Sequence, residues 1–282
     1  MNGHVRLHSG LHIGSGRGGE VSGSDLPVLR DIQAKPFIPG SSFKGVLRSN
    51  AEAFLRAFPH PNGKVLACDV TDDEARCISA KRKREIIRRE GSYKGRDPDE
   101  VLWEESCWVC QLFGSPWLAS RVSVLDMPVR GFLPSEWVTT RDGVVIDRET
   151  ETAAHGKKYD FEVVPTETSF SMEILIENPE DYQMGLVVLG LDFFNQGLAL
   201  LGGNTSRGLG RIEVELDSLR EDTKDTVLAS LRPTSQGGAE RVEEQHPSGV
   251  PASADKQQIE KKKRLWLGAL WNKLPKPAEK GV

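Results

Sequence analysis

The sequence predicts an α+β fold with a ferredoxin-like (RRM-like) core. Three observations support this prediction: segments in which apolar and polar side chains alternate, two segments with apolar side chains at helical spacing, and the order in which both kinds occur. That order is strand, helix, strand, strand, helix, strand, which is typical of this fold. The segments are, in the same order, residues 5–13, 40–58, 121–129, 169–177, 179–201 and 209–216.

The composition is that of a globular protein. The chain has 282 residues, 38% of them hydrophobic, which suffices for one large domain or two small ones. No apolar run is long enough to cross a bilayer, and the first residues lack a signal-peptide pattern. The net charge of -4 argues against indiscriminate nucleic-acid binding but leaves a local basic groove open. We therefore expect a cytoplasmic protein with no membrane partner.

The first predicted strand is followed by a loop. Residues 14–25 are rich in glycine and serine, and Pro27, Pro36 and Pro39 keep the following segment extended. A long irregular loop near the start of a domain usually has a functional reason.

The first predicted helix begins with a serine N-cap in Gly40-Ser41-Ser42. Lys44 and Arg48 lie four residues apart on a face away from the apolar side chains. A helix N-terminus presents free N–H groups and a positive dipole end, so Ser41, Ser42 and Lys44 together suit a phosphate. A capped core helix with solvated charges explains this stretch equally well.

Residues 60–118 are predicted to form an insertion that contains all the cysteines of the chain. The last two have the two-residue gap that lets both thiolates reach one tetrahedral zinc ion, and the first two, with eight residues between them, can supply the other two ligands. The predicted zinc ligands are Cys68, Cys77, Cys107 and Cys110, with His60 as a substitute. Unpaired buried cysteines are the alternative. The basic run 81–89 is typical of a solvated helix face, with nucleic-acid contact as the other reading.

Residues 137–160 are polar and have little to bury. With a turn predicted at residues 141–143, they should project from the domain as a hairpin or a loop. The second predicted helix then begins at Pro179, with acidic residues in its first turn.

A glycine-rich loop over residues 202–211 connects the second predicted helix to the last predicted strand. Four glycines in nine residues let the backbone approach a ligand closely, and Arg207 and Arg211 add positive charge beside backbone N–H groups. That chemistry suits a phosphate backbone. Taken alone, however, the stretch favours a tight turn with solvated arginines.

The chain changes character after the predicted domain of residues 1–217. Residues 218–258 are predicted to be a linker or disordered tail, because they are polar and rich in Gln, Ser, Gly and Pro. Residues 259–274 predict an amphipathic helix with Trp266 and Trp271, which should cover a partner or the chain's own core.

Three short motifs accompany the predicted order of elements. They are GSSFKGVLR at residues 40–48, LFG at residues 112–114 and GGNTSRGLGRIEV at residues 202–214. Together with that order, they resemble the RAMP superfamily of CRISPR-associated proteins, from about residue 11 to residue 216. The likeness is to the repeated backbone subunit of type III effector complexes.

The resemblance implies a subunit that binds CRISPR guide RNA beside other effector subunits and cleaves complementary target RNA at regular intervals. Asp25 matches the position of the family's nuclease aspartate, and Asp31 is interpreted as structural. A carboxylate there can hold Mg2+ or another divalent ion, or position the attacking 2′-hydroxyl. Residues 137–160 resemble the family's thumb, a hairpin that displaces a base pair, with Ile146, Asp147 and Arg148 the part most similar. The implied guide-backbone contacts are Ser41, Ser42, Lys44, Arg48, Arg121, Gly203, Arg207, Gly208 and Arg211.

Two departures and two alternatives accompany this hypothesis. The cysteine-bearing insertion and the C-terminal helix are not parts of the family's common core.

A guide-binding subunit with an inactive Asp25 is one alternative. A guide-processing endonuclease with His8 or His12 as general acid or base is the other. A small-molecule enzyme is disfavoured, because the sequence has no nucleophile-and-base pair or cofactor motif.

Overall fold

The computed structural model describes residues 1–15, 24–59, 64–88, 95–131, 138–230 and 255–276. Several predicted features lie outside the described residues: most of the early loop (residues 16–23), His60, Arg89, Trp137 and much of the predicted linker (residues 231–254).

The described residues form a mixed α/β structure. Its strands are β1 (Asn2–Leu7), β2 (Phe37–Ile38), β3 (Val122–Val124), β4 (Met127–Pro128), β5 (Thr139–Ile146), β6 (Ala153–Val163), β7 (Ser169–Ile176) and β8 (Ile212–Ser218). Its helices are α1 (Gly40–Arg56), α2 (Ala80–Ile87), α3 (Pro98–Glu105), α4 (Trp108–Phe113), α5 (Asp181–Asn195), α6 (Lys224–Ser230) and α7 (Lys256–Lys273). The predicted α+β class is confirmed.

The main sheet has four antiparallel strands in the order β3, β7, β1, β8. Val5 lies opposite Phe170 on β7 and Val214 on β8, so apolar positions of three strands share one face. Helices α1 and α5 cover that face, and the rings of Phe43 and Phe194 stack with centroids 5.1 Å apart. Strand alternation and helical periodicity therefore supply a single core.

Several element boundaries differ from the sequence prediction. The predicted strand 121–129 is divided into β3 and β4, and β4 pairs with β2 in a separate two-stranded sheet. Strand β1 ends at Leu7, and Leu11 forms an isolated bridge with Val164 beyond it. Helix α5 ends at Asn195 rather than at residue 201, because Gly197 takes a φ of +73° and turns the chain away. Strand β8 begins at Ile212 rather than at residue 209, since the φ of +86° at Gly210 interrupts the extended backbone.

The predicted serine N-cap of α1 is wrong. The N-cap residue is Pro39, which has no side chain to bond the helix, and Ser41 and Ser42 lie within the first turn. Asp126 replaces a local cap: its Oδ1 accepts the Gly40 N–H at 2.8 Å. A carboxylate from a distant loop thus stabilises the positive end of the helix.

The insertion has a small core of its own, formed by Ile78 and Ile86 around α2 and by Val101 and Leu102 from α3. Arg82 joins the two helices through an ion pair with Glu105 at 2.8 Å.

The C-terminal helix α7 packs on α5. Trp266 and Leu270 are buried, and a Cβ on Gly185 of α5 would lie 2.3 Å from the Trp266 carbonyl oxygen. The close approach therefore requires glycine. Among the described residues, no helix has the length and apolar character that crossing a membrane demands.

Candidate functional site

The segment that carries Asp25 runs beside hairpin strand β6. Leu26 forms a parallel bridge with Phe161, and the Glu162 N–H donates to the Leu26 carbonyl at 3.0 Å. On its other side, the Leu29 N–H donates to the Ile13 carbonyl at 2.8 Å. Residues 24–30 are therefore held between the hairpin and the chain that follows β1.

Asp25 and Asp160 are joined by two reciprocal hydrogen bonds. The Asp25 N–H donates to Asp160 Oδ1 at 2.9 Å, and the Asp160 N–H donates to Asp25 Oδ2 at 3.1 Å. Asp25 is exposed, whereas Asp160 is half-buried. The Asp25 carboxylate is thus fixed through one oxygen while its side chain stays accessible.

Asp31 lies in a different setting. Its Oδ1 accepts the N–H groups of Gln33 and Lys35, each at 2.9 Å. This is the local hydrogen bonding of a turn-forming aspartate, so the carboxylate has a structural role.

Glu162 holds the same segment one step further along β6. Its Oε2 accepts the Val28 N–H at 2.9 Å, and its Oε1 pairs with Arg30 at 2.7 Å. Its carbonyl oxygen lies 2.7 Å from Nδ1 of His12. A carbonyl can only accept, so His12 carries its proton on Nδ1 in this contact. His12 is buried, and His8 pairs with Glu213 at 3.0 Å.

The glycine-rich loop reaches the same strand through His12 and Arg207. The Gly203 N–H donates to the His12 carbonyl at 2.8 Å, and a 3-10 turn spans Thr205–Arg207. The Gly208 N–H donates to the Thr205 carbonyl at 3.1 Å. Both N–H groups are therefore bonded within the protein, that of Gly203 to His12 and that of Gly208 to Thr205.

The two arginines of the loop contact different parts of the protein. Arg207 lies 5.7 Å from the ring centroid of Tyr159 and donates to its hydroxyl. Arg211 lies against Gly197, where a Cβ would meet the guanidinium. Tyr159 immediately precedes Asp160, so β6 connects the glycine-rich loop to the Asp25 segment.

Near the start of α1, the side chain of Lys44 donates to Ser120 Oγ at 2.7 Å. Burial and the nearby charge of Arg48 lower the pKa of Lys44. Ser41 is exposed and Ser42 is half-buried, so both hydroxyls lie near the surface.

Two other predicted guide contacts point into the protein. Arg48 pairs with Glu52 at 2.8 Å, donates to the Gly114 carbonyl at 2.8 Å and reaches Cys110 Sγ at 3.7 Å. Arg121 donates to the Asn178 carbonyl at 2.5 Å and lies 4.0 Å from the centroid of Trp103. Arg48 is therefore bonded to the cysteine-bearing insertion. Arg121 contacts both the insertion and the residues just before α5.

The structure brings the four cysteines together. Their sulfur atoms all lie within 4.8 Å of one another, and Cys68 Sγ and Cys110 Sγ are 3.5 Å apart. Hydrogen bonds from Cys107 and Cys110 lower the pKa of Cys68 to about 7 and lower that of Cys77, whereas the pKa values of Cys107 and Cys110 are raised within the same cluster. Thiolates are the metal-binding form of cysteine. The cluster can hold one metal ion.

The hairpin turn follows β5, whereas the turn predicted at residues 141–143 is wrong because those residues pair with β6 inside the strand. The predicted thumb residues lie at this turn. Ile146 is 64% exposed at the end of β5. Asp147 Oδ1 accepts the N–H groups of Glu149 at 2.8 Å and Thr150 at 3.2 Å, and these bonds lower the pKa of Asp147. Arg148 is exposed in the turn itself.

The sequence prediction missed or set aside four residues of this site: Asp160, Glu162, Tyr159 and His12. Asp160 and Glu162 alternate with aromatic residues in a strand-like pattern, which is a signal for two faces of one strand. Which residue each face contacts depends on the tertiary fold. The partner of Asp160, for example, is 135 residues away in the sequence.

Comparison with known proteins places the chain among related sequences. The CRISPR system Cms endoribonuclease Csm3 of Methanothermobacter thermautotrophicus is 26% identical over 240 residues, covering 78% of this chain and 85% of that protein. The protein of the same name from Streptococcus thermophilus is 28% identical over 216 residues, covering 75% and 84%. A chain of the type III-B Cmr-beta apo cryo-EM structure aligns with a TM-score of 0.43 and 13% identity, covering 76% of this chain and 95% of that one.

A family model, that of the RAMP superfamily, matches residues 4–213. This range contains β3, β7, most of β1 and the start of β8 from the main sheet, together with the Asp25 segment, the insertion, the hairpin and the glycine-rich loop. The chain therefore belongs to the RAMP superfamily.

Proposed function

We propose that the chain is a guide-RNA-binding backbone subunit of a type III CRISPR effector complex and that it cleaves complementary target RNA. Two relatives that share most of its length bear the name of a CRISPR endoribonuclease. The observation that carries the proposal is the accessible Asp25 carboxylate, fixed by Asp160 at the edge of a projecting hairpin. We propose that this assembly acts in the cytoplasm.

Asp25 is proposed to act on the 2′-hydroxyl of the target RNA. In this reaction the 2′-oxygen bonds to phosphorus while the bond to the 5′-oxygen breaks; the 2′-oxygen loses a proton and the 5′-oxygen gains one. The groups must be in line, so a fixed carboxylate that orients the 2′-hydroxyl lowers the barrier. Mg2+ or another divalent ion, held by the same carboxylate, would supply positive charge at the phosphate.

The guide backbone is proposed to lie along the loops at the edge of the sheet. Ser41, Ser42 and Lys44 at the start of α1 and Arg207 and Arg211 in the glycine-rich loop supply donors and positive charge there. Such contacts hold RNA without reading its bases. Gly203 and Gly208 contribute by shaping the loop, and the hairpin turn at residues 146–148 is the proposed wedge.

The open face of the main sheet is a poor RNA platform. Arg6 pairs there with Glu167, His8 lies 3.0 Å from Glu213, and His4 lies 3.1 Å from Asp217. RRM domains bind RNA through aromatic side chains on the corresponding face. Paired charges instead direct the proposed RNA path to the edge loops.

We also propose that the core is ferredoxin-like. In chain order, β1, α1, β3, β7, α5 and β8 form the repeat, and the sheet order of these strands is the one expected for it. The proposed domain extends to residue 217, with α2, α3 and α4 inserted, and α7 as an added covering helix.

The cysteine cluster is proposed to hold a structural Zn2+. With Zn–S bonds of about 2.3 Å, tetrahedral geometry places the sulfur atoms about 3.8 Å apart. The observed spread of sulfur atoms, all within 4.8 Å, fits this requirement. Cys68, Cys77, Cys107 and Cys110 would be the ligands.

Guide processing is less well supported by the geometry. His12 is buried and bonded to the Glu162 carbonyl, and His8 is paired with Glu213. A guide-binding subunit without nuclease activity differs from the proposal only in whether Asp25 acts.

Cleavage of labelled complementary RNA by the assembled guide complex with Mg2+ tests the proposal. Asp25→Ala should abolish cutting while guide binding is retained, and Asp31→Ala serves as the matched carboxylate control. A 2′-deoxynucleotide at the cut site should block cutting by the wild-type complex. Equal cutting by wild type and Asp25→Ala would remove Asp25 from the mechanism, and no cutting by any complex would favour the non-nuclease subunit.

A further inference from the structure

We propose that Asp160 is the positioning residue for Asp25. This inference rests on the proposed function, in which Asp25 is the catalytic carboxylate. Asp160 Oδ1 accepts the Asp25 N–H at 2.9 Å, and Asp25 Oδ2 accepts the Asp160 N–H at 3.1 Å. The pair fixes both the backbone and the side chain of Asp25.

The two carboxylates are not equivalent. Asp160 is half-buried within a regular strand, whereas Asp25 is exposed in an irregular segment. The side chain of Asp160 is therefore the better anchored of the two. Each carboxylate accepts a backbone N–H, so the hydrogen bonds offset part of the repulsion between two like charges.

Asp160 bonds the segment at Asp25 itself. Glu162 holds Val28 and Arg30, and Phe161 pairs with Leu26. All of these contacts lie on the C-terminal side of Asp25. Loss of the Asp160 acceptor would thus release the backbone at Asp25 while the rest of the segment stays in place.

The pair also makes the catalytic carboxylate part of the hairpin. Strand β6 leads from the exposed turn at residues 146–148 to Asp160. The proposed wedge and the proposed catalytic group are consequently held by one structural unit.

Two substitutions at residue 160 separate positioning from charge. Asp160→Asn keeps an Oδ1 that accepts the Asp25 N–H and removes the negative charge, whereas Asp160→Ala removes the acceptor. The matched control is Asp222→Ala, since Asp222 is an exposed aspartate outside the hairpin and its carboxylate pairs with Arg220 at 2.8 Å.

The measurement is the single-turnover rate of target cutting by guide complexes at saturating Mg2+, together with guide and target affinity. Asp160→Ala should slow cutting at least about tenfold, because small misplacements of catalytic groups are costly. Its affinities should stay within about twofold of wild type, since the phosphate contacts remain. Asp160→Asn should recover most of the lost rate, and Asp222→Ala should cut as wild type.

The recovery by asparagine is the decisive readout. If Asp160→Asn is as slow as Asp160→Ala and both need more Mg2+, the charge acts directly and the positioning role is overturned. An unchanged rate in Asp160→Ala also overturns it.

Failure of this inference is distinguishable from failure of the proposed function. If Asp25→Ala stops cutting but Asp160→Ala does not, only the positioning role is lost. If Asp25→Ala cuts normally, Asp25 is not the catalytic group and the proposed function fails first.

Discussion

Single residues of the glycine-rich loop show how backbone conformation and close packing combine. Gly202 and Gly208 both adopt a φ of +84°. A Cβ on Gly202 would lie 2.4 Å from the His12 carbonyl oxygen, whereas a Cβ on Gly208 would have nothing within 4 Å. An alanine at either position would therefore have the same backbone strain, but only at residue 202 would its Cβ also clash with a neighbouring atom.

Gly202→Ala should destabilise the protein more than Gly208→Ala. The positive φ alone costs about 1 kcal/mol for alanine, and the clash at residue 202 raises the loss to about 2–4 kcal/mol. Urea unfolding of both variants measures the difference. Equal losses would show that the contact with His12 is not maintained in solution.

The family resemblance predicts Asp25 as the catalytic carboxylate, but the sequence does not indicate which residue holds it. Asp25 and Asp160 are 135 positions apart, and their hydrogen bonds exist only once the hairpin has folded against the early loop. Arg48 illustrates the opposite error. Its spacing from Lys44 indicated an exposed basic face, but the insertion folds over α1 and takes Arg48 as a partner for Cys110.

At the scale of elements, α1 supports two different surfaces. Lys44 lies near its N-terminus beside Ser120, and Arg48 lies one turn later beside the cysteine cluster. Arg56, near the end of the helix, donates to the Cys68 carbonyl at 3.0 Å. The helix therefore holds both cysteine-bearing segments through its polar face.

Arg48→Ala should weaken retention of the proposed zinc ion. Loss of a side chain that bonds a ligand typically lowers metal affinity about 10- to 100-fold. Competition with a chromogenic chelator measures the affinity. Lys44→Ala is the matched variant, and it should keep the metal but weaken guide binding. The slope of log binding constant against log salt concentration should become smaller in magnitude by about 0.7, because one phosphate contact is lost. The assignment would be contradicted if Lys44→Ala released the metal as readily as Arg48→Ala.

Helix α7 is the other element whose role depends on the fold. Its sequence indicated an amphipathic helix and left its partner open. The structure places Trp266 5% exposed against α5, while Trp271 is 68% exposed. Periodicity can show that a helix has an apolar face, but it does not show what that face covers.

Trp266→Ala should lower the free energy of unfolding by about 3–5 kcal/mol, because it opens a cavity under α7. Trp271→Ala should change it by no more than about 0.5 kcal/mol. Thermal unfolding monitored by circular dichroism compares the two. Similar losses would indicate that α7 does not pack on α5 as described.

For the whole molecule, element type and order were predictable because alternation and helical spacing recur in long segments. The boundaries were not. Helix α5 ends before Gly197, which forms a local turn with Phe194, and β8 begins after Gly210, whose N–H donates to the distant Gly10 carbonyl. The candidate site required the fold as well. It combines the early loop, the hairpin and the glycine-rich loop, which the sequence shows as three separate stretches.

The most direct test of the account is a map of the cuts that the guide complex makes in a complementary RNA with Mg2+. Wild-type subunits should cut at regularly spaced phosphates, and Asp25→Ala should remove every one of these cuts while the complex still binds guide and target. The same regular cuts from the Asp25→Ala complex would contradict the account.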